Sequence, residues 1–429
     1  MKNIIYTIVI LIFFAIEADS VELNVDFDTT RVREVYPVKK SFGEKVADLP
    51  GEILKFPVHV LESFTYAITT NPPVSKIFSL INLGDKTRSI IPVIGYSSRS
   101  GLKLGFGRQF INQENSESSL KFKWYYSTND YQSYKLQWHN PNLFSPKFGL
   151  NLYYRYIIKT RQNFYGVGNL SLREHEVNYT MENSELKATI PLNLEEKTTV
   201  RFFSKYLITN LYDGRDPSLE GNLQVLYNDS ALGLESGQLN GIRHVDFGFS
   251  LEYDSRNSVS QPSSGIHLLA HYEQLIGVDN SKGRDFSSYT IDIKMYLNLW
   301  NKRIIALRGF VKRLETSASN QQPVPIFLAS SLGGENSLRG YSGGRFIDND
   351  LAFFSIEYRY PVYQSIDAFL FLDEGRVFKD ITNESIFNNF TSSYGFGTRV
   401  RSAESVTAVI QIAKSEESTR LYFELGATW

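Results

Sequence analysis

The chain is 429 residues long, carries a formal net charge of −1 and contains no cysteine. Balanced charge excludes a global electrostatic footprint for nucleic acid, and the missing thiols exclude disulfides and thiolate metal centres. A mean hydropathy of −0.24 does not suit a helical membrane protein, whereas an aromatic content of 14% suits a barrel with aromatic girdles at its membrane interfaces.

Residues 1–20 read as a secretory signal peptide. Lys2 supplies the positive charge, Ile4 to Ala15 a short apolar run, and Ala18 and Ser20 the small residues before cleavage at Val21. The run is shorter than the roughly 20 residues of a spanning helix. Residues 21–88 form a periplasmic segment interrupted by Pro37, Pro50, Pro57, Pro72 and Pro73. Leu54, Val58, Leu61 and Thr65 fall on one helical side, so a helix is expected over 53–66. It would be either an amphipathic helix at the barrel mouth or membrane face, or an ordinary packed helix or ordered coil.

From about residue 89 the pattern changes to period two. Every odd position from Val245 to Tyr253 is apolar and every even one is polar or glycine. Tyr289 to Leu299 again has apolar odd positions, Ala352, Phe354, Ile356, Tyr358 and Tyr360 alternate with Ser355, Glu357 and Arg359, and Leu421 to Trp429 has apolar odd positions once more. Successive side chains on a strand point to opposite faces, so one face is apolar and the other polar. Strands are expected near 89–97, 102–110, 118–128, 131–139, 147–160, 171–194, 197–209, 243–255, 264–275, 286–299, 303–315, 351–361, 366–377, 392–402, 405–414 and 419–429. The segment 171–194 is long enough to be two strands. Many segments run to about 10 residues, the length of a tilted spanning strand. The expected fold is all-β: a 16-stranded antiparallel transmembrane β-barrel over 89–429, preceded by the short helix-containing segment. With the last strand ending in the periplasm, the long connections 161–170, 210–242, 316–350 and 378–391 fall outside, and the short ones inside.

One connection stands out. Leu332-Gly333-Gly334-Glu335-Asn336-Ser337-Leu338-Arg339-Gly340-Tyr341 puts a single arginine among small residues in the loop 316–350. A charge folded into a barrel needs partners. Strand parity aims Glu357 and Asp373 at the lumen, and a guanidinium can bind carboxylates through two parallel hydrogen bonds. The residues alone leave open a solvated arginine on an exposed loop.

The loop resembles the signature of the BamA/TamA superfamily of outer-membrane barrels, the bacterial surface antigen family. Phe371-Leu372-Asp373-Glu374-Gly375 resembles that family's Asp-bearing strand motif. Asp254-Ser255-Arg256-Asn257 with Pro262 and Gly265 is similar to a periplasmic turn of these barrels, and Phe164-Tyr165-Gly166-Val167-Gly168-Asn169 to another frequent loop. The resemblance covers about 89–429. It implies a bacterial outer-membrane location and a loop lock of Arg339, Gly340, Tyr341, Glu357 and Asp373. It also implies that Trp429 is a signal read by the barrel-assembly machinery during insertion, and that Gly426 loosens the seam between the first and last strands. Typical members carry periplasmic POTRA domains. Residues 21–88 are expected not to form one, so the chain resembles members that lack them.

No hydrolase elbow, phosphate loop or dinucleotide fingerprint is present in the sequence. His267 and His271 share a strand face about 13 Å apart, too wide for one metal ion. His244 and Asp246 share a face with no marked nucleophile. The expectation is a protein without cofactor, metal or catalytic residues, in contact with outer-membrane lipids and with periplasmic helper or client proteins. Three functions are open: assistance in assembly, insertion or translocation of outer-membrane components; a passive channel or structural surface protein; and an outer-membrane enzyme.

Overall fold

The computed structural model describes residues 88–425 apart from 98–99, 112–117, 146–147, 217, 220, 222–231, 236, 260, 317–322, 364–365, 386–387 and 402–405. The expected signal peptide, the helix over 53–66, and the residues Gly426 and Trp429 lie outside the described residues. In chain order the strands are β1 (Arg88–Ser97), β2 (Gly101–Ile111), β3 (Ser119–Ser127), β4 (Gln132–Ser145), β5 (Phe148–Phe164), β6 (Val177–Glu195), β7 (Thr198–Asp213), β8 (Ile242–Asp254), β9 (Gly265–Gly277), β10 (Phe286–Asn298), β11 (Ile304–Thr316), β12 (Ser330–Leu332), β13 (Phe346–Asp348), β14 (Asp350–Tyr363), β15 (Ile366–Phe378), β16 (Thr391–Arg401), β17 (Val406–Lys414) and β18 (Thr419–Leu425).

All but β12 and β13 join one closed antiparallel meander. Each strand pairs with the next, β11 pairs with β14, and β18 returns to β1. Among the described residues the return pairs Ile94↔Leu425, Gly95↔Glu424 and Tyr96↔Phe423. The neighbouring β1–β2 ladder runs unbroken from Arg88↔Phe110 to Ser97↔Gly101. Two of the strand prolines sit where a ladder breaks. Pro361 marks a register shift between β14 and β15, and Pro141 lies within one between β4 and β5.

The faces are inverted relative to a water-soluble core. Phe247, Phe249 and Leu251 are exposed, while Asp246 and Ser250 on the alternate positions are buried. On β10, Tyr289, Ile291 and Ile293 are exposed and Asp292 is buried. Among the described residues no helix is long and apolar enough to cross a membrane.

Two details differ from the sequence reading. The segment 171–194 starts with a 3-10 turn at Arg173–His175 and continues as the single strand β6. The connection 316–350 is more than a loop, since β12 and β13 form a hairpin within it, pairing Ser330↔Asp348 and Leu332↔Phe346. Strands of three residues are too short to leave a periodic signal.

Candidate functional site

The connection from β11 to β14 turns back into the barrel. Gly333 and Gly334 take φ values of +112° and +93°, a region that side chains disfavour. Gly334 N donates to Tyr341 O (3.0 Å) and Tyr341 N to Leu338 O (3.0 Å), which closes the tip. Leu338 and Tyr341 are buried against Leu332, Phe346, Leu351, Phe353 and Val377. Tyr341 meets Phe346 edge-on at 5.3 Å. This apolar anchor fixes the direction of the residue between them.

Arg339 makes a fork into Asp373: Nε donates to Oδ2 (2.8 Å) and Nη2 to Oδ1 (2.7 Å). Nη1 donates to Glu357 Oε1 at 2.8 Å, and Nη2 to Ser355 Oγ at 3.2 Å. The guanidinium lies 3.4 Å from the centre of the Phe371 ring. That ring has room because Gly395 faces it on β16, where an added side chain would come within 2.6 Å. Asp373 has no solvent exposure and also accepts from Ser355 Oγ at 2.7 Å. A buried ion pair offsets its desolvation only when the geometry is good and the remaining lone pairs are filled, and both conditions hold here. Glu357 is shared further, with Arg359 Nε (3.1 Å) and Arg399 Nη2 (2.9 Å).

Gly340 sits against the β17–β18 turn. A side chain there would lie 2.7 Å from Lys414 C and Ser415 Cβ. Its carbonyl accepts from Ser415 Oγ and Ser418 Oγ, both at 2.8 Å, and Tyr422 donates to Arg339 O at 2.9 Å. The structure therefore brings Arg339, Gly340, Tyr341, Glu357 and Asp373 together, and adds Ser355, Phe371, Ser415, Ser418 and Tyr422 around them.

Sequence reasoning missed a second arginine. Arg345 is buried; its Nε donates to both oxygens of Glu417 (2.9 and 2.8 Å), and Nη1 and Nη2 reach Ser171 Oγ and O (2.9 and 2.8 Å). Its guanidinium packs over Tyr165 and Phe346. The sequence offers a signal for Arg345, which follows Gly343-Gly344, but none for its partner across the barrel. The Phe164–Asn169 motif serves the same assembly. Gly168 N donates to Ile347 O (2.8 Å), and Val377 N donates to Asn169 Oδ1 (3.4 Å). From the β11 wall, Arg308 is forked onto Asp292 (2.9 and 3.1 Å) and donates to Asn336 O at 3.1 Å.

The turn after β8 is built by Arg256, which forks onto Asp254 at 2.8 and 2.6 Å. Glu252, Asp254 and His267 offer donor atoms within 4.8 Å of one another. His267 thus meets β8 rather than His271. The two carboxylates already hold Arg201 and Arg256, so guanidinium groups fill the places a cation would take. Asp246 takes Lys205 at 3.0 Å, and Lys205 also meets Glu273 at 2.7 Å. Two cavities, of about 650 and 670 Å³, flank the inward loop, and Glu335 and Asn336 line both.

A family model described as the Omp85 superfamily domain matches residues 97–429. No curated protein matches the sequence. Among solved structures, the chain is similar to BamA from Haemophilus ducreyi lacking POTRA domains 1-3, at 18% identity and a TM-score of 0.58, covering 80% of this chain and 71% of that one. It is also similar to CdiB from Escherichia coli, at 10% identity and a TM-score of 0.56, covering 80% of this chain and 63% of that one. At these identities the likeness is one of fold.

Proposed function

The chain belongs to the Omp85 superfamily, and on that premise we propose that it is a bacterial outer-membrane β-barrel assisting assembly, insertion or translocation of outer-membrane components. The inverted faces support the membrane placement, since exposed apolar rows alternate with buried polar ones along the strands. Strand lengths such as 9 residues in β3 and 13 in β10 match a tilted span.

One observation carries the reading of function. The loop locked by Arg339 is fastened to β14, β15, β17 and β18, the last of which closes the barrel against β1. A barrel that opens where its first and last strands meet exposes a strand edge, and a strand edge can accept an incoming strand by backbone pairing. The locked loop would hold the last hairpin in place while that edge is used. Surrounding lipids, periplasmic helper or client proteins, and the barrel-assembly machinery for its own insertion are the partners this requires. No catalytic step is included.

The test is crosslinking and capture of tagged full-length protein from cell envelopes. Recovery of immature outer-membrane proteins or periplasmic helpers, reduced in Arg339→Ala, is the expected result. The two cavities beside the loop favour a second reading, a passive channel or structural barrel. A steady open conductance in planar bilayers, with no captured client, would replace the first reading with the second.

A further inference from the structure

The outward face of β5, β6 and β7 carries a carboxylate far from the loop lock. On β6, Leu186, Ile190 and Leu194 are exposed, and Glu182 takes the same parity toward the outer end of the strand. On β7, Phe202, Tyr206 and Tyr212 are exposed, and Asn210 shares their parity. On β5, Leu152 and Tyr154 are exposed, and Tyr156 is next in that row. Register sets Glu182 opposite Asn210. Counted from the periplasmic end of β6 at Glu195, Glu182 lies beyond the roughly 9–11 residues that a tilted strand needs to cross the hydrocarbon. That depth is the headgroup level of the outer leaflet.

Three neutral donors hold this carboxylate. Tyr156 donates to Oε1, Tyr212 to Oε2 at 2.7 Å, and Asn210 Nδ2 to Oε2 at 3.2 Å. Among the described residues no lysine, arginine or histidine pairs with Glu182. A carboxylate accepts about four hydrogen bonds, so a place remains open on Oε1. The phenols also set aromatic rings beside the charge. Tyr156 continues an outer aromatic row, in which Trp124 meets Tyr134 and Tyr134 meets Tyr156 with ring centres 6.5 and 6.2 Å apart. An anion at the lipid interface, with an open acceptor place and aromatic neighbours, suits a cation that donates a hydrogen bond.

We propose that Glu182, with Tyr156, Asn210 and Tyr212, is a binding site for the ammonium of a phosphoethanolamine lipid headgroup. The acyl chains of that lipid lie along Leu186, Ile190 and Phe202, which continue the same face toward the periplasm. The N–H groups decide among headgroups. A primary ammonium brings donors and fills the open place on Oε1. The quaternary nitrogen of choline has no N–H to give, and phosphatidylglycerol brings a net negative charge beside Glu182. A divalent cation takes about six oxygen ligands, more than this patch offers. The inference rests on the membrane placement of the barrel and uses none of the lock residues.

The experiment is native mass spectrometry of the full-length protein in detergent, titrated in turn with phosphatidylethanolamine, phosphatidylcholine and phosphatidylglycerol of the same acyl chains. The first phosphatidylethanolamine adduct is expected to saturate and to bind about tenfold more tightly than either other lipid, as a charge-assisted hydrogen bond predicts. Glu182→Gln is expected to abolish that preference. Glu174→Gln, which removes an exposed carboxylate from the outer 3-10 turn, is expected to keep it. Unchanged heat-modifiable migration in gels shows that the variants are folded. The proposal is overturned if phosphatidylcholine binds as tightly, if Glu182→Gln keeps the preference, or if EDTA abolishes phosphatidylethanolamine binding, which assigns the site to a divalent cation. Carbonate extraction of protein reconstituted in phosphatidylethanolamine–phosphatidylglycerol vesicles tells the two failures apart. Release of the protein overturns the membrane placement and the proposal with it, whereas retention without a headgroup preference overturns the proposal alone.

Discussion

The two sides of this barrel treat charge in opposite ways. On the β14–β18 side, Arg339, Arg359 and Arg399 converge on Glu357, and Arg339 also forks onto Asp373. On the β2–β5 side, Lys123, Lys135 and Arg155 face one another across the strands, and Arg155 meets Glu185 at the end of the row. The first arrangement is a closed network. Its cations are fixed by carboxylates of the same chain, and removing either member leaves a buried charge. The second sets like charges opposite one another, at a cost in stability. Opposite charges in register hold the first wall together, whereas like charges in register weaken the second.

The largest effect is expected where the network is most enclosed. Asp373→Ala should lower barrel stability by about 3–5 kcal/mol, because Arg339 would be left buried without its fork. A fall in the temperature at which the fast-migrating folded band disappears would register it. An unchanged transition would show that the lock contributes nothing to stability. Arg339→Lys keeps the charge but loses the paired geometry, so a smaller loss, about 1–3 kcal/mol, is expected in the same assay.

Gly340→Val should follow, at about 1–3 kcal/mol, since its side chain would press on the backbone of Lys414. Faster cleavage of the 316–350 connection by added protease would report the displaced loop. Equal cleavage rates would mean that the close approach of loop and turn is dispensable. Arg345 and Glu417 allow a double-mutant cycle, with a coupling of about 0.5–3 kcal/mol expected if the second arginine fastens the loop. A coupling of zero would confine the lock to Arg339.

The smallest effect is expected on the other wall. Lys135→Gln relieves two like-charge contacts and should be neutral or stabilising by about 0.2–1 kcal/mol. Destabilisation there would mean that Lys135 already has a partner within the chain, and the contrast between the two walls would collapse.

Much of this was legible in the sequence because strands repeat every two residues. Glu357 and Asp373 were expected on the lumen face, and both meet Arg339 there. Parity aimed the two acids at the lumen, but the lock of Arg339 followed from the resemblance of the loop, since the residues alone left a solvated arginine open. What escaped notice depended on register or on distance along the chain. Arg345 and Glu417 are separated by 72 positions, and nothing local marks either as the other's partner. His267 invited comparison with His271 on its own strand, yet its contact is Glu252 on β8. The basic wall was hidden by a net charge of −1, an average over strands that segregate their charges.

Composition and periodicity by themselves determined that this chain forms long alternating strands, which faces are apolar, and which loop carries the arginine. Those properties follow from local geometry, because side-chain direction on a strand is set by position alone. Tertiary structure decided the rest: that the loop folds inward onto β17 and β18, that Gly395 makes room for Phe371, and that Lys123, Lys135 and Arg155 meet in one row. Parity fixes the face a residue takes, but only the pairing register fixes its neighbour, and both the lock and the basic wall are made of neighbours.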